Sequence, residues 1–363
     1  MTTSGTAILP SAVIQHKQPW LYSPGADSVF ILAPAFLVTA AVLAFPGFFE
    51  APVSPLAWFV LVVGVDVAHV YSTLYRTYFD PEERKRYATL LYMIPALCWV
   101  AGAMLYTAGS MVFWRTLAYV AVYHFVRQQY GFLRLYSRKD GLPAWKRRLD
   151  AVAIYSAATY PLIYWHTHGR AFHWFVAGDF FNFGLPELEP PFRFAYIAIL
   201  VAYVVSEIRM KRWNLPKNVI LAGTAISWYT GIVLFNGDLS FTFTNVVAHG
   251  IPYMALVWMH ERKQVSKPAG IEKQRYLARW FIPAMIPAFV GLLFLLAYLE
   301  EALWNMMVWQ EHTQFFQWFA FLPTVSDQTL LAVLVPLLAL PQATHYVLDG
   351  FIWRVRSLSY DAA

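Results

Sequence analysis

Residues 56–79 read LAWFVLVVGVDVAHVYSTLYRTYF. The first ten carry no charge, and the whole stretch is long enough at ~1.5 Å per residue to cross a hydrocarbon layer of ~30 Å as one helix. Asp66 and His69 nevertheless sit in its middle, three residues apart, and Arg76 stands near its end. An ionisable side chain is costly in lipid and tends to face the interior of a bundle. The stretch therefore predicts a membrane helix packed among others, with a polar edge turned inward.

Working outward, nine further stretches have the same character. The expected spans lie near 28–46, 56–79, 87–107, 111–136, 150–166, 193–210, 218–235, 240–260, 277–299 and 329–353. Composition agrees. Of 363 residues, 59% are hydrophobic and only 13% charged, against roughly 25% charged in a soluble domain. The chain is expected to be all-α, one polytopic transmembrane domain over 1–363, with no separate soluble part.

Lys and Arg set the orientation. They cluster after the second span (Arg76, Arg84, Lys85, Arg86), the fourth (Arg138, Lys139, Lys146, Arg147, Arg148), the sixth (Lys211, Arg212, Lys217) and the eighth (Arg262, Lys263, Lys267, Lys273, Arg275). Arg354 and Arg356 follow the tenth. The alternate connections hold Arg115, Arg170 and Arg193 among acids that include Glu187, Glu189, Asp238, Glu300, Glu301 and Glu311. Both termini are thus expected in the cytoplasm of a bacterial inner (plasma) membrane. The net charge of +6 then faces lipid head groups rather than nucleic acid. Cys98 is the one cysteine, so no intrachain disulfide and no thiolate metal site is expected. No cleavable signal peptide is visible.

Four spans running from outside to inside each carry a histidine: His69, His124, His249 and His345. Each also has a polar partner three or four residues away on the same helix face, respectively Asp66, Gln128, Asn245 and Asp349. Helical bundles build metal sites from inward histidines and carboxylates on facing helices. The expected ligands are His69, His124, His249 and His345, with Asp66 and Asp349 as ligands, catalytic groups or residues that orient the imidazoles. Imidazole with carboxylate suits iron, zinc or manganese. One or two iron ions are expected, with zinc as the alternative. Arg127, one turn from His124, is a candidate to hold an anionic group of a substrate or to pair with Asp66 or Asp349. A single intramembrane histidine is more often a plain interhelical hydrogen bond; four at similar depth favour a site.

Other features point less far. His166, His168 and His173 form an outer group whose plainer reading is an aromatic-belt loop. His16, His260 and His312 read as flanking or interfacial residues, and Arg76 and Arg134 as snorkelling to head groups. There is no His-x-x-x-His, no Asp-rich diphosphate motif, no mid-span lysine and no His-Glu-x-x-His. The leading expectation is a non-haem iron oxygenase or desaturase-type oxidoreductase whose lipid-like substrate enters sideways from the bilayer. Zinc-dependent hydrolysis or transfer of a lipid, proton-coupled transport or an accessory role using the same His and Asp residues, and b-type haem ligation are the alternatives. Protein partners, if any, are not legible.

Overall fold

The computed structural model describes residues 18–169, 173–210, 213–265 and 279–353. Among the described residues it is all-helical, with no strand. Ten long helical segments stand near the ten expected spans: α1 (Pro24–Ala44), α2 (Pro55–Arg76), α3 (Ala88–Ala108), α4 (Ser110–Tyr136), α5 (Ala144–His168), α6 (Pro186–Met210), α7 (215–234), α8 (238–265), α9 (Pro283–Trp309) and α10 (328–352). Five of them, α1, α2, α3, α6 and α9, are long and apolar enough to cross a membrane. α10 makes a sixth if its two halves, bent by 43°, count as one span. The remaining four carry more polar residues. His16, Arg170, Lys211, Arg212, Lys267, Lys273, Arg275, Arg354 and Arg356 lie outside the described residues.

Local chemistry sets the helix ends. Ser23 caps α1, and the Asp27 carboxylate gathers the backbone N–H groups of Leu21, Tyr22 and Ser23 at 2.5–3.2 Å. Gly109, at φ +154°, alone joins α3 to α4, a backbone conformation that side-chain-bearing residues seldom adopt. Asn214 accepts from the Lys217 N–H at the start of α7. α2 and α8 each widen into π-helical turns, over Phe59–Val67 and Thr242–Val247. His69 and His249 each follow two residues later. Similar turns occur in α1 (Ser28–Leu32), α7 (Tyr229–Leu234) and α9 (Asn305–Trp309), so they do not by themselves mark a site.

α2 packs against α8, α9 and α10, and α4 packs against α10. These contacts bring the four histidine-bearing helices, α2, α4, α8 and α10, together. α5, α6 and α7 pack beside them, joined by a buried group of four charges. The Lys146 ammonium meets Asp150, and Glu207 at 2.6 Å; the Lys217 ammonium meets Glu207 at 2.8 Å and Asp150 at 3.4 Å. Asn218 donates to the other Glu207 oxygen at 2.8 Å. All four charged side chains are almost fully buried. The sequence reading puts Lys146 in the basic connection between the fourth and fifth spans; instead α5 begins at Ala144, because this paired lysine is carried inside. Removing one partner of a buried ion pair typically costs ~3–5 kcal/mol. Glu207→Ala, which leaves two ammoniums on one carboxylate, is therefore expected to lower the thermal unfolding midpoint sharply in detergent, whereas Arg193→Ala on the exposed start of α6 should leave it nearly unchanged.

Three further expectations are corrected. Glu300 and Glu301 are not loop acids but buried residues of α9. Tyr71 donates to Glu300 at 2.6 Å, and Gln342 reaches its other oxygen, so α2, α9 and α10 share a polar seam. Arg76 does not snorkel; it is buried, pairs with Glu83 at 3.2 Å and lies over the Trp353 ring. His260 is buried against Trp353 rather than interfacial.

Candidate metal centre

His69, His124, His249 and His345 meet. Each offers one ring nitrogen, and these four atoms all lie within 4.8 Å of one another. The Nε2 atoms form two close pairs, His69 with His249 and His124 with His345, each 3.1 Å apart. None of the four side chains is more than 3% exposed. Four nitrogens bound at about 2.0–2.1 Å to one ion stand roughly 3.3–3.4 Å from each other in a tetrahedron, or about 2.8–4.2 Å in a square or octahedral arrangement, so modest adjustments of the rings would close the set around a single ion. Nε2 pairs only 3.1 Å apart leave no room for a porphyrin between facing imidazoles.

Packing holds each ring. His249 lies flat on Phe125 of α4, centroids 3.7 Å apart and planes 4° from parallel. His124 is flanked by Tyr346 of α10 at 5.0 Å. Gly250 lets α8 approach α2 closely: a Cβ there would stand 2.9 Å from Val65 Cγ1 and 3.1 Å from the Val65 carbonyl oxygen. Gln128 donates to the His249 carbonyl at 3.0 Å and ties α4 to α8.

A hydrogen-bond chain orients His345. With Nε2 turned to the centre, the proton sits on Nδ1 and is donated to Thr73 Oγ1 at 2.7 Å. Thr73 donates to the Tyr253 hydroxyl at 3.0 Å, and Tyr253 donates to Asp349 Oδ1 at 2.6 Å. Trp353 donates to the Tyr253 oxygen at 3.2 Å. This direction satisfies every member and leaves the Nε2 lone pair free for a metal; the tautomer is assigned from the network. Partners that orient a metal-binding histidine are worth ~10–100-fold in affinity. Thr73→Val, which keeps the shape and removes the acceptor, is expected to weaken metal binding by about that factor in competition with a metal buffer, and Thr73→Ser to restore it.

The remaining expected site residues fall beside the four nitrogens. Asp66 stands 3.8 Å from His69 Nδ1; Asp349 stands 3.7 Å from His345 Nδ1 and 3.9 Å from His124 Nε2. Both flank the histidines without joining the group of ligand-spaced atoms. Arg127 is exposed; it donates to the Tyr155 hydroxyl and lies over Tyr130, and none of its described contacts is with a histidine of the group. Asn245 is buried but bonds the Phe241 carbonyl and Thr244. In the outer group, His166 bonds Tyr119 and the Leu162 carbonyl, and His168 stacks on Tyr164. Among the described residues these histidines form no metal-spaced group.

A cavity of about 290 Å³ is lined by residues of all four histidine-bearing helices, although none of the four histidines is among them; Asp66 and Tyr346, which flank His69 and His124, connect the two. The four helices contribute Asp66, Val67 and Val70 (α2), Trp114 and Leu117 (α4), Thr242 and Val246 (α8), and Gln342 and Tyr346 (α10). Beyond them the lining continues through Trp304 and Glu301 of α9 to Trp174, Glu311 and His312 in the loops that follow α5 and α9. His312 is stacked on Trp58 at 4.0 Å, and its burial pushes the imidazole pKa below the usual histidine value. Sequence reading missed Glu301, Asn305 and Gln342 as lining residues. A Glu-Glu pair at the close of an apolar run reads as the end of a span, and only the packing of α9 on α2 shows it turned inward. No family model, no curated protein and no solved structure matches the chain.

Proposed function

We propose that the four histidines hold a single iron ion and that the protein is a membrane-embedded oxidoreductase acting on a lipid-like molecule. One observation carries the reading: four fully buried imidazoles from four helices converge, and an aromatic cavity lined in part by those same helices, though not by the imidazoles themselves, lies beside them. Imidazole nitrogens suit iron, zinc, copper and nickel. Zinc in protein sites is commonly four-coordinate, and catalytic zinc keeps an open position by taking three protein ligands; four histidines around zinc leave none. Iron accepts more ligands and keeps positions free, which favours it over zinc hydrolysis here. When bound, iron would supply the redox-active centre for O₂-dependent hydroxylation, desaturation or oxidative cleavage. The residues of this chain do the rest. The buried helices exclude water, the Thr73–Tyr253–Asp349 chain fixes His345, Asp66 and Asp349 flank the imidazoles, and the cavity holds the substrate. Arg127 has no part in this account.

The same reading takes the chain as crossing a bacterial inner membrane ten times with both termini inside. Its support is the alternation of Lys and Arg between connections and the agreement of ten helical segments with ten expected spans. α4, α5, α7 and α8 are the less apolar members: α5 and α7 carry the buried lysines, and α4 and α8 carry further charged residues, Arg115, Arg127 and Arg134 on α4 and Glu261, Arg262 and Lys263 on α8. Nitric oxide tests the open position. Added without oxygen to the ferrous protein, it is expected to give the paramagnetic signal of an iron–nitrosyl adduct in the wild type and none in His124→Ala. A silent wild type loaded with iron would contradict an open coordination position.

A further inference from the structure

We infer that the cavity beside the histidine centre is a substrate pocket entered from the loop end of the bundle, and that it takes an apolar molecule with an uncharged or cationic hydrogen-bond-donating head. This deepens the metalloenzyme reading and rests on it. The walls are aromatic: Trp58, Trp114, Trp174, Trp304 and Trp309 all contribute. The cavity's carboxylates are Asp66, Asp238, Glu301 and Glu311, its imidazoles are His173, beside Asp238, and His312, and no Lys or Arg lines it. Two acids lie deep in it. Asp66 has no described hydrogen bond; its near polar neighbour is His69 Nδ1 at 3.8 Å. Glu301 is 8% exposed, and the sole described bond to its carboxylate is a long one from Asn305 Nδ2 at 3.5 Å. Gln342 adds a buried side-chain oxygen with no partner.

All three side chains line the one cavity and carry acceptor oxygens; the Gln342 oxygen is buried without a partner, which is costly, and Asp66, 22% exposed, is open to a ligand. An amine or hydroxyl head satisfies them; a carboxylate, sulfate or phosphate head would meet like charge or unpaired acceptors. The tryptophans suit an apolar body and, for an ammonium, a cation–π contact. At about 290 Å³, the space matches the lower end of small-molecule pockets, ~300–1,000 Å³. The lining reaches Glu311 and His312 in the loop after α9, so entry runs from that end rather than sideways between helices.

The test uses the full chain in lipid nanodiscs and three radiolabelled eight-carbon probes, octylamine, octanol and octanoate, with empty nanodiscs subtracted. Octylamine and octanol are expected to bind saturably, and octanoate at least tenfold more weakly. Glu301→Leu should weaken both binders about tenfold. Glu301→Gln, which keeps an acceptor, should spare octanol and weaken octylamine. Trp309→Ala, at the loop end, should weaken both. Octanoate binding as tightly as octylamine would overturn the proposal, as would binding indifferent to both Glu301→Leu and Trp309→Ala in folded protein. Metal content is read on the same samples. Loss of selective binding with iron retained overturns the pocket alone, whereas absence of metal with selective binding retained overturns the metal centre alone.

Discussion

In His249→Ala and in His345→Ala, the metal retained per folded chain is expected to fall by more than tenfold. Each histidine supplies one of the four ligand nitrogens, and neither flanking carboxylate belongs to the metal-spaced group. Asp66 and Asp349 stand 3.7–3.9 Å from imidazole nitrogens and lie outside the ligand-spaced group. Loss of a ligand should therefore exceed the ~10–100-fold effect of losing a partner that merely orients one. A linked effect follows. A ligand that binds only the folded chain stabilises it by mass action, by ~4 kcal/mol when present at a thousand times its dissociation constant. Stripping the wild type with a chelator should thus lower its unfolding temperature, while the same treatment should leave His345→Ala unmoved. If chelation leaves the wild type unchanged, the four imidazoles are an interhelical hydrogen-bond cluster, and proton-coupled transport becomes the stronger reading.

Gly250→Val is expected to abolish metal binding without touching a ligand. A Cβ at Gly250 meets the Val65 side chain at 2.9 Å and the Val65 carbonyl oxygen at 3.1 Å. The valine side chain can turn aside; the backbone carbonyl cannot. A branched residue there must push α8 away from α2 and carry His249 from His69. Metal–ligand distances tolerate only ~0.2 Å, so a displacement that a purely structural helix contact would survive is enough to open the site. Gly250→Ala should give a smaller loss, about tenfold, because the shift needed is a few tenths of an ångström. Gly291→Ala in α9, where an added Cβ meets nothing within 4 Å, is the control and should keep full metal content. Size-exclusion profiles with metal analysis on the same fractions separate a lost site from a lost fold.

The helical character, the approximate position of ten helices and the four histidines are legible in the sequence. Apolar runs long enough to cross a bilayer are easy to see, and an ionisable residue inside one stands out. His69 and His345 are embedded in such runs, whereas His124 and His249 lie on the more polar α4 and α8 and stand out by their spacing from Gln128 and Asn245. What was hidden depends on which way a side chain turns. Glu300 and Glu301 follow an apolar run and read as its outer end, yet Tyr71 and Gln342 draw Glu300 inward. Lys146 sits among Arg147 and Arg148 and looks interfacial, but Asp150 and Glu207 neutralise it inside the bundle. Regular helical periodicity puts Asn245 on the face of His249. The π-helical turns over Thr242–Val247 break that period, and Asn245 spends its amide on Phe241 and Thr244. Arg127, one turn from His124, faces Tyr155 instead of the centre. Thr73 and Tyr253 carry no sequence signal at all; only the packing of α2, α8 and α10 shows that they position His345.

The most direct test of the central claim is elemental analysis of the wild-type protein, purified from membranes, joined to X-ray absorption at the edge of whatever metal is found. The account predicts one iron per chain, with nearest-neighbour scattering dominated by imidazole nitrogen from four ligands. A folded protein with no stoichiometric metal would contradict it, and so would zinc, or iron bound mainly by carboxylate oxygen.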